Sequence, residues 1–335
     1  MLTKRLKADK EGIEQAAKIL KNGGIVAIPT ETVYGLAASA YDENAVTKVF
    51  GAKGRPQDNP LIVHIADIED LKAVAKDIPN SAYKAAERFW PGPLTMIFKR
   101  TDKIPASISA GLDTVAVRMP SDKTAREIIK QSLPLAAPSA NTSGKPSPTK
   151  AKYVIEDLDG KIDAVVMSGD CAVGVESTVI TLVTNPPRLL RPGAVTVEEL
   201  KEIFPDIAVD SAVLAEPKKG ERVSSPGMKY KHYAPKTETY LVEGNSEQFV
   251  QFVNSKENAA AVCFSEEEGK ITVPKLCYGT AVDEATLAHS GFSVLRRADD
   301  LKVNAIYVHA PSKNGVGLAV YNRLIRAAAF RVIKL

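Results

Sequence analysis

The sequence has few of the residues that usually hold metals, form disulfides or stack on bases. Its 335 residues contain three cysteines, four histidines and one tryptophan, with aromatics at 6%. Cys171, Cys263 and Cys277 form no CxxC pair, so neither a disulfide framework nor a zinc pattern is expected, and a reduced, cytoplasmic setting is. No stretch approaches the ~18 uninterrupted apolar residues of a membrane helix. The basic start, Met1 to Lys7, has no apolar block behind it, so no secretory signal is read there. Charge of one sign is also lacking: 44 Lys and Arg stand against 40 Asp and Glu, a net +4. That excess is milder than is usual for a DNA-binding domain, and it fits anionic small substrates or weak RNA contact. There is no GxxxxGK[ST], no HExxH, no GxSxG, no GxGxxG after the first strand and no internal repeat. Covalent and metal-centred mechanisms therefore begin without support.

What is present is a globular balance, 44% hydrophobic and 25% charged, in a chain long enough for roughly two domains. Over the first 200 residues, helix and strand signals alternate. Ile13, Ala16, Ala17 and Leu20 share a helical face that stops at Asn22-Gly23-Gly24. Ile25–Ile28 is a short apolar run of strand length. Asp42 is placed to cap a helix carrying Ala45, Val46, Val49 and Phe50. Strands are expected at 61–65, 94–99, 114–119, 134–137, 163–167 and 177–183, and helices near 69–76, at 81–90 and at 197–204. From 206 to 236 the character changes: six Lys/Arg face two acids between Glu216 and Lys236, with three prolines among them. Composition reads this stretch as a linker. A second, smaller α/β pattern follows. It has strands at 239–242, 259–264 and 305–308, a helix capped by Ser246, and helices at 282–290 and 318–329. Alternating strands and helices predict a parallel sheet with crossover helices.

In open α/β sheets ligands sit beyond the carboxyl ends of strands, so the polar loops after apolar runs are the candidate sites. Pro29–Leu36 contains Thr30, Glu31, Thr32 and Tyr34; it reads as a strand end with a helix cap, or as hydroxyl donors facing a small polar ligand. Lys53–Pro60 reads as a solvated loop, or as one stiffened by Pro56 and Pro60 that holds a point charge, Lys53, beside a planar fork, Arg55, a pairing suited to polyphosphate. Ala137–Thr149 reads as a flexible linker, or as Ser and Asn side chains cradling phosphate or an adenine edge. His64, alone in a strand, reads as a packed core histidine. Arg118 ends an alternating strand, where it can pair with a buried carboxylate or clamp a ligand carboxylate. Glu176–Ile180 and Leu190–Ala194 look like two adjacent strands with polar ends.

Taken in order, Pro29-Thr30-Glu31-Thr32-Val33-Tyr34-Gly35-Leu36, Lys53-Gly54-Arg55-Pro56, Asn59-Pro60-Leu61, Pro91-Gly92-Pro93-Leu94-Thr95, Val115–Pro120, Pro138–Gly144, Glu176–Val179 and Arg191–Ala194 resemble the YrdC-type domain of the threonylcarbamoyl-AMP synthase family. Ser225–Pro235 and the Gly317–Ala328 stretch are similar to that family's longer, two-domain form. The resemblance implies an α/β chain with an N-terminal twisted, open mixed sheet over 1–205. It implies a linker or lid over 206–236 and a smaller Rossmann-like parallel-sheet domain over 237–335. It implies synthesis of L-threonylcarbamoyladenylate from L-threonine, bicarbonate and ATP with release of pyrophosphate. That reaction is the first step of the t6A modification of tRNA beside the anticodon, so downstream tRNA threonylcarbamoyl-transferase machinery is an implied partner. Carried over by position, Lys53, Arg55, Ser139 and Asn141 are the catalytic set. The nucleotide would meet these four together with Asn59, Thr114, Ser147, Arg191 and Tyr230, the last a lid residue. Threonine would meet Thr32, His64, Arg118, the backbone at Ala137, and Ser177. Mg²⁺ would accompany ATP, held mainly by phosphates, with no protein metal site. An RNA-binding module without catalysis and a general nucleotide hydrolase are the competing readings.

Overall fold

The computed structural model describes residues 2–215 and 233–335, and the chain divides into two compact units. The first contains Met1–Ser143, Pro148–Ala172 and the residues from Glu176; the second contains Gly144–Ser147, Val173–Val175 and the C-terminal segment to Leu335.

In the first unit the strands are β1 (Lys4–Lys7), β2 (Val26–Ile28), β3 (Gly35–Ser39), β4 (Ile62–His64), β5 (Ala75–Lys76), β6 (Leu94–Arg100), β7 (Thr114–Arg118), β8 (Leu135–Ala136), β9 (Ala164–Met167), β10 (Thr178–Thr181), β11 (Arg188–Arg191) and β12 (Ala208–Val209). They form one sheet in the order β1-β9-β2-β3-β8-β4-β7-β6-β10-β11-β12, with β5 beside β6. The sheet is mixed: β4 runs parallel to β7, for example, and β6 antiparallel to it. Its helices are α1 (Lys10–Lys21), α2 (Glu43–Lys53), α3 (Leu71–Val74), α4 (Asn80–Phe89), α5 (Lys123–Gln131), α6 (Ala151–Leu158) and α7 (Val197–Lys201).

Strand side chains alternate between faces, and both faces of this sheet are covered. Val26 and Ile28 of β2 pack with Leu20 of α1 and Ile128 of α5, whereas Ala27 between them joins Val49 of α2, Phe98 and Val154 of α6 in the larger core. The helix starts follow local chemistry. The Asp9 side chain accepts from the Gly12 N–H at the start of α1, and Asp42 accepts from those of Asn44 and Ala45 at α2.

The second unit has β13 (Glu238–Glu243), β14 (Ala259–Cys263), β15 (Lys275–Cys277), β16 (Ala305–His309) and β17 (Val332–Lys334), in the order β15-β14-β16-β13-β17, every pair parallel. Its helices are α8 (Ser246–Asn254), α9 (Glu284–Ala298) and α10 (Gly315–Ala327). The fold class is thus α/β, with a large mixed sheet and a smaller parallel one.

Several sequence expectations need correction. The helix read near 69–76 is a 3₁₀ turn at Ile68–Asp70 plus α3, because Ala75 and Lys76 pair with β6. The 197–204 helix stops at Lys201. α8 is capped by Asn245, not Ser246, through a reciprocal box with Gln248. α9 runs well past 290, since burial of Phe292, Val294 and Leu295 outweighs the ~1 kcal/mol that Gly291 costs mid-helix. Within the stretch read as linker, Ala208–Val209 pairs with β11 and Ser211–Val213 forms a 3₁₀ turn. Residues 216–232, with the rest of the linker or lid reading and most of the Ser225–Pro235 motif, lie outside the described residues.

Phe98 is 1% exposed in the main core. Phe98→Ala is expected to lower unfolding free energy by about 3–5 kcal/mol, read from urea unfolding with the slope unchanged.

Candidate active site at the strand ends

Lys53 is not in a loop: it is the last residue of α2, which ends because Gly54 adopts the left-handed conformation, φ 60°. Only glycine enters that region without a Cβ penalty, so Gly54 reverses the chain between Lys53 and Arg55. Lys53 is 2% exposed, and its Nζ donates to the carbonyls of Ser139 (2.5 Å) and Asn141 (2.7 Å). Its own carbonyl accepts from the Ser143 N–H at 2.8 Å. One lysine therefore ties the 139–143 loop to the end of α2. The loop is held from the other side by β3: Leu36 N–H donates to Pro138 O, and Ala140 N–H donates to Tyr34 O, each at 2.8 Å. Within it, Ser139 Oγ donates to Asn141 Oδ1 at 2.5 Å. The segment that composition read as flexible is a braced turn. Arg55 reaches the carbonyls of Asn59 and Pro60 at 3.4 Å, and Asn59 is buried.

A second cluster forms around β4 and β7. Parallel register sets His64 opposite Arg118, and the Ala137 N–H donates to Ile62 O at 2.9 Å, so Ala137 extends the same strand group. Arg118 is 3% exposed. Its Nε donates to Gly92 O (3.2 Å), one terminal nitrogen donates to Thr32 Oγ1 (2.9 Å), and the other lies 2.7 Å from the Glu31 carboxylate. Of the two roles its position allowed, pairing with a buried carboxylate is present in this structure. Burial, helped by the Arg118 charge, pushes His64 down to about 3; the imidazole is neutral at physiological pH.

The third cluster joins β6, β10 and β11. Ser177 Oγ shares a hydrogen bond with Thr95 Oγ1 (2.8 Å), and Arg191 donates to the Ser177 carbonyl (3.0 Å) and hydroxyl (3.1 Å). A Cβ on Gly193 would sit 2.3 Å from the Thr178 nitrogen, so the Arg-Pro-Gly turn needs glycine to pass this close. The second and third clusters meet at Pro91-Gly92-Pro93, where Gly92 O takes the Arg118 hydrogen bond and Pro93 O takes the Thr178 N–H.

The structure thus links Thr32, His64, Arg118, Ala137 and Ser177 through adjacent strands, and Lys53, Ser139 and Asn141 through one loop. Thr114 is not with them: it begins β7 where Arg118 ends it, and it lines a separate cleft with Ile97, Thr181 and Arg188. Ser147 is buried and belongs to the second unit; Tyr230 lies outside the described residues. Glu31, Gly92 and Thr95 join these clusters although the sequence does not mark them as site residues; all three stand inside the quoted motifs. Among the described residues no group of three or more His, Cys, Asp and Glu is placed to hold a metal, and no helix is long and apolar enough to cross a membrane. Cys171 is buried, and burial pushes its thiol up to about 12, far from the thiolate a nucleophile requires.

Residues 18–193 match the family model described as Telomere recombination (Sua5, YciO and YrdC), and residues 195–329 match the one described as Threonylcarbamoyl-AMP synthase, C-terminal domain. A threonylcarbamoyl-AMP synthase from Pyrococcus abyssi is 46% identical over 96% of this chain and 95% of its own length. One from Bacillus subtilis is 42% identical over 99% and 97%. The crystal structure of P. abyssi Sua5 complexed with L-threonine superposes with a TM-score of 0.91 at 40% identity, covering all of both chains.

The neutral His64 sets a pH dependence. An unfolded histidine takes up a proton below pH ~6.5, while the folded one does so only near 3. Its contribution to stability is therefore complete above pH 6.5 and is lost as pH falls toward 3, at about 1.4 kcal/mol per pH unit. His64→Gln is expected to flatten the acid limb of an unfolding-versus-pH curve between pH 6 and 4. An unchanged slope in that window contradicts the assignment.

Proposed function

This chain belongs to the threonylcarbamoyl-AMP synthase family and is an enzyme, and we propose that it joins L-threonine, bicarbonate and ATP into L-threonylcarbamoyladenylate, releasing pyrophosphate. In this reading the product serves the t6A modification of tRNA, and residues 1–205 carry the chemistry. The observation that carries it is the set of nearly solvent-free cations at the strand ends: Lys53, Arg118 and Arg191 are each 4% exposed or less. The bound threonine named for the P. abyssi relative supports the amino-acid substrate.

The reactants are anionic at a carboxylate, at bicarbonate and at a triphosphate, and in a low-dielectric cleft their mutual repulsion is severe. Fixed cations offset it without reorganising during the reaction. The neutral amine of threonine and bicarbonate give a carbamate and water. A carbamate oxygen then attacks the α-phosphorus in line, and pyrophosphate departs with the electron pair of the broken P–O bond. No protein nucleophile takes part. Lys53, Arg55, Ser139, Asn141 and Arg191 are assigned to the nucleotide, with Asn59, Ser147 and Tyr230 as further contacts that the family resemblance implies; Thr114, in its separate cleft, is left out of this set. Thr32, His64, Arg118, Ala137 and Ser177 are assigned to threonine. A neutral His64 suits this role, since it offers a hydrogen bond without a further charge. Mg²⁺ enters as part of the nucleotide substrate, held by phosphate oxygens and water.

Pyrophosphate release from ATP should require both threonine and bicarbonate. A hydrolase would need neither, and an RNA-binding module would release none. Lys53→Ala and Arg55→Ala should each lower kcat/KM by about 10²–10³; losses below about threefold for both would remove them from the phosphate site. Arg118→Lys keeps the charge but loses the planar fork, so threonine KM should rise while ATP KM holds.

A further inference from the structure

The cations at the strand ends answer the negative charges of the reactants, but one buried group there has the opposite sign. Glu31 is 8% exposed, and among the described residues neither of its carboxylate oxygens has a hydrogen-bond partner. Its ion-pair partner is an Arg118 guanidinium nitrogen at 2.7 Å, whose N–H is not aligned for a hydrogen bond. Burial alone would push the acid up. The Arg118 charge and contact, with the nearby N–H groups of Ser121 and of Glu31 itself, outweigh burial and hold it below the usual carboxylate range. It is an anion with open acceptor capacity, in a place where an unanswered charge is costly.

A site that only gathered anions would gain nothing from this carboxylate. Among threonine, bicarbonate and ATP, the single cationic group is the α-ammonium of the amino acid. It carries donors and no acceptor, the converse of Glu31. In an amino acid the ammonium and the carboxylate leave the same carbon, so the two charges stand side by side, as Glu31 and Arg118 do. The loop fixes both partners together, because the residue after Glu31, Thr32, accepts the Arg118 hydrogen bond.

We infer that Glu31 recognises the α-ammonium of the substrate, so that the Glu31–Arg118 pair reads an amino-acid zwitterion and rejects α-hydroxy acids. This rests on the threonine site proposed above. Glu31 is then a specificity residue, not merely a support for Arg118, and the two roles separate in one experiment. Calorimetric titration of the full-length protein compares L-threonine with 2,3-dihydroxybutanoate, which has a hydroxyl in place of the ammonium. The wild type should bind threonine at least 100-fold more tightly. Glu31→Gln should shrink that ratio at least tenfold while the affinity for the hydroxy acid moves less than threefold. If Glu31→Gln weakens both ligands equally and the ratio holds, Glu31 only positions Arg118 and the inference is overturned. If Glu31→Gln does not fold, the wild-type ratio and Glu31→Asp decide. The aspartate should keep the ratio within threefold of wild type, and a wild type that binds both compounds within threefold overturns the inference. Binding of neither compound by the wild type would overturn the threonine site beneath it instead.

Discussion

A charge can leave water only if the protein replaces the water's hydrogen bonds, and the strand ends of the first unit are organised by that requirement. Lys53, Arg118 and Arg191 are almost wholly buried, and each is anchored on backbone carbonyls: those of Ser139 and Asn141, of Gly92, and of Ser177. Removing such partners while the charge stays buried is costly. The turns that supply the carbonyls are therefore as much a part of the site as the side chains. This accounts for why a residue of modest chemical character such as Gly92 stands within the motifs: its carbonyl holds Arg118.

The same requirement couples folding to function. The loop at 139–143 has the composition of a linker, yet Lys53 from one side and β3 from the other give it a single path. Ser139 and Asn141 are then presented by a rigid frame, and preorganisation of this kind is what electrostatic catalysis needs. Neutral His64 and anionic Glu31 complete the charge pattern around Arg118, so that these strand ends carry both signs.

Much of the frame was legible in the sequence, for identifiable reasons. Helices announced themselves where a cap and a helical apolar face coincided, as at Asp42 followed by Ala45, Val46, Val49 and Phe50. Strands announced themselves as apolar runs at 94–99 and 259–264. The short strands did not. β3 is made of Gly35, Leu36 and three small residues with no alternation, because both faces are buried and sheet pairing, not propensity, makes it a strand. β12 and β5 exist only because a neighbouring strand pairs with two residues that carry no pattern of their own.

The site was legible as a list of segments but not as a set of contacts. Arg118 ends β7, and the sequence alone leaves open whether it meets a protein carboxylate or a ligand. Only the fold brings Glu31 to it, across 87 positions. Lys53 and Arg55 read as one loop pair, whereas the left-handed Gly54 makes Lys53 a buried helix terminus and leaves Arg55 in the turn that follows, near the carbonyls of Asn59 and Pro60.

The most direct test of the account is a crystal structure of the full-length protein with L-threonine and a non-hydrolysable ATP analogue. The threonine carboxylate is expected on Arg118, with its ammonium toward Glu31, and the triphosphate beside Lys53, Arg55 and Arg191. Ligands seated away from these strand ends would contradict it.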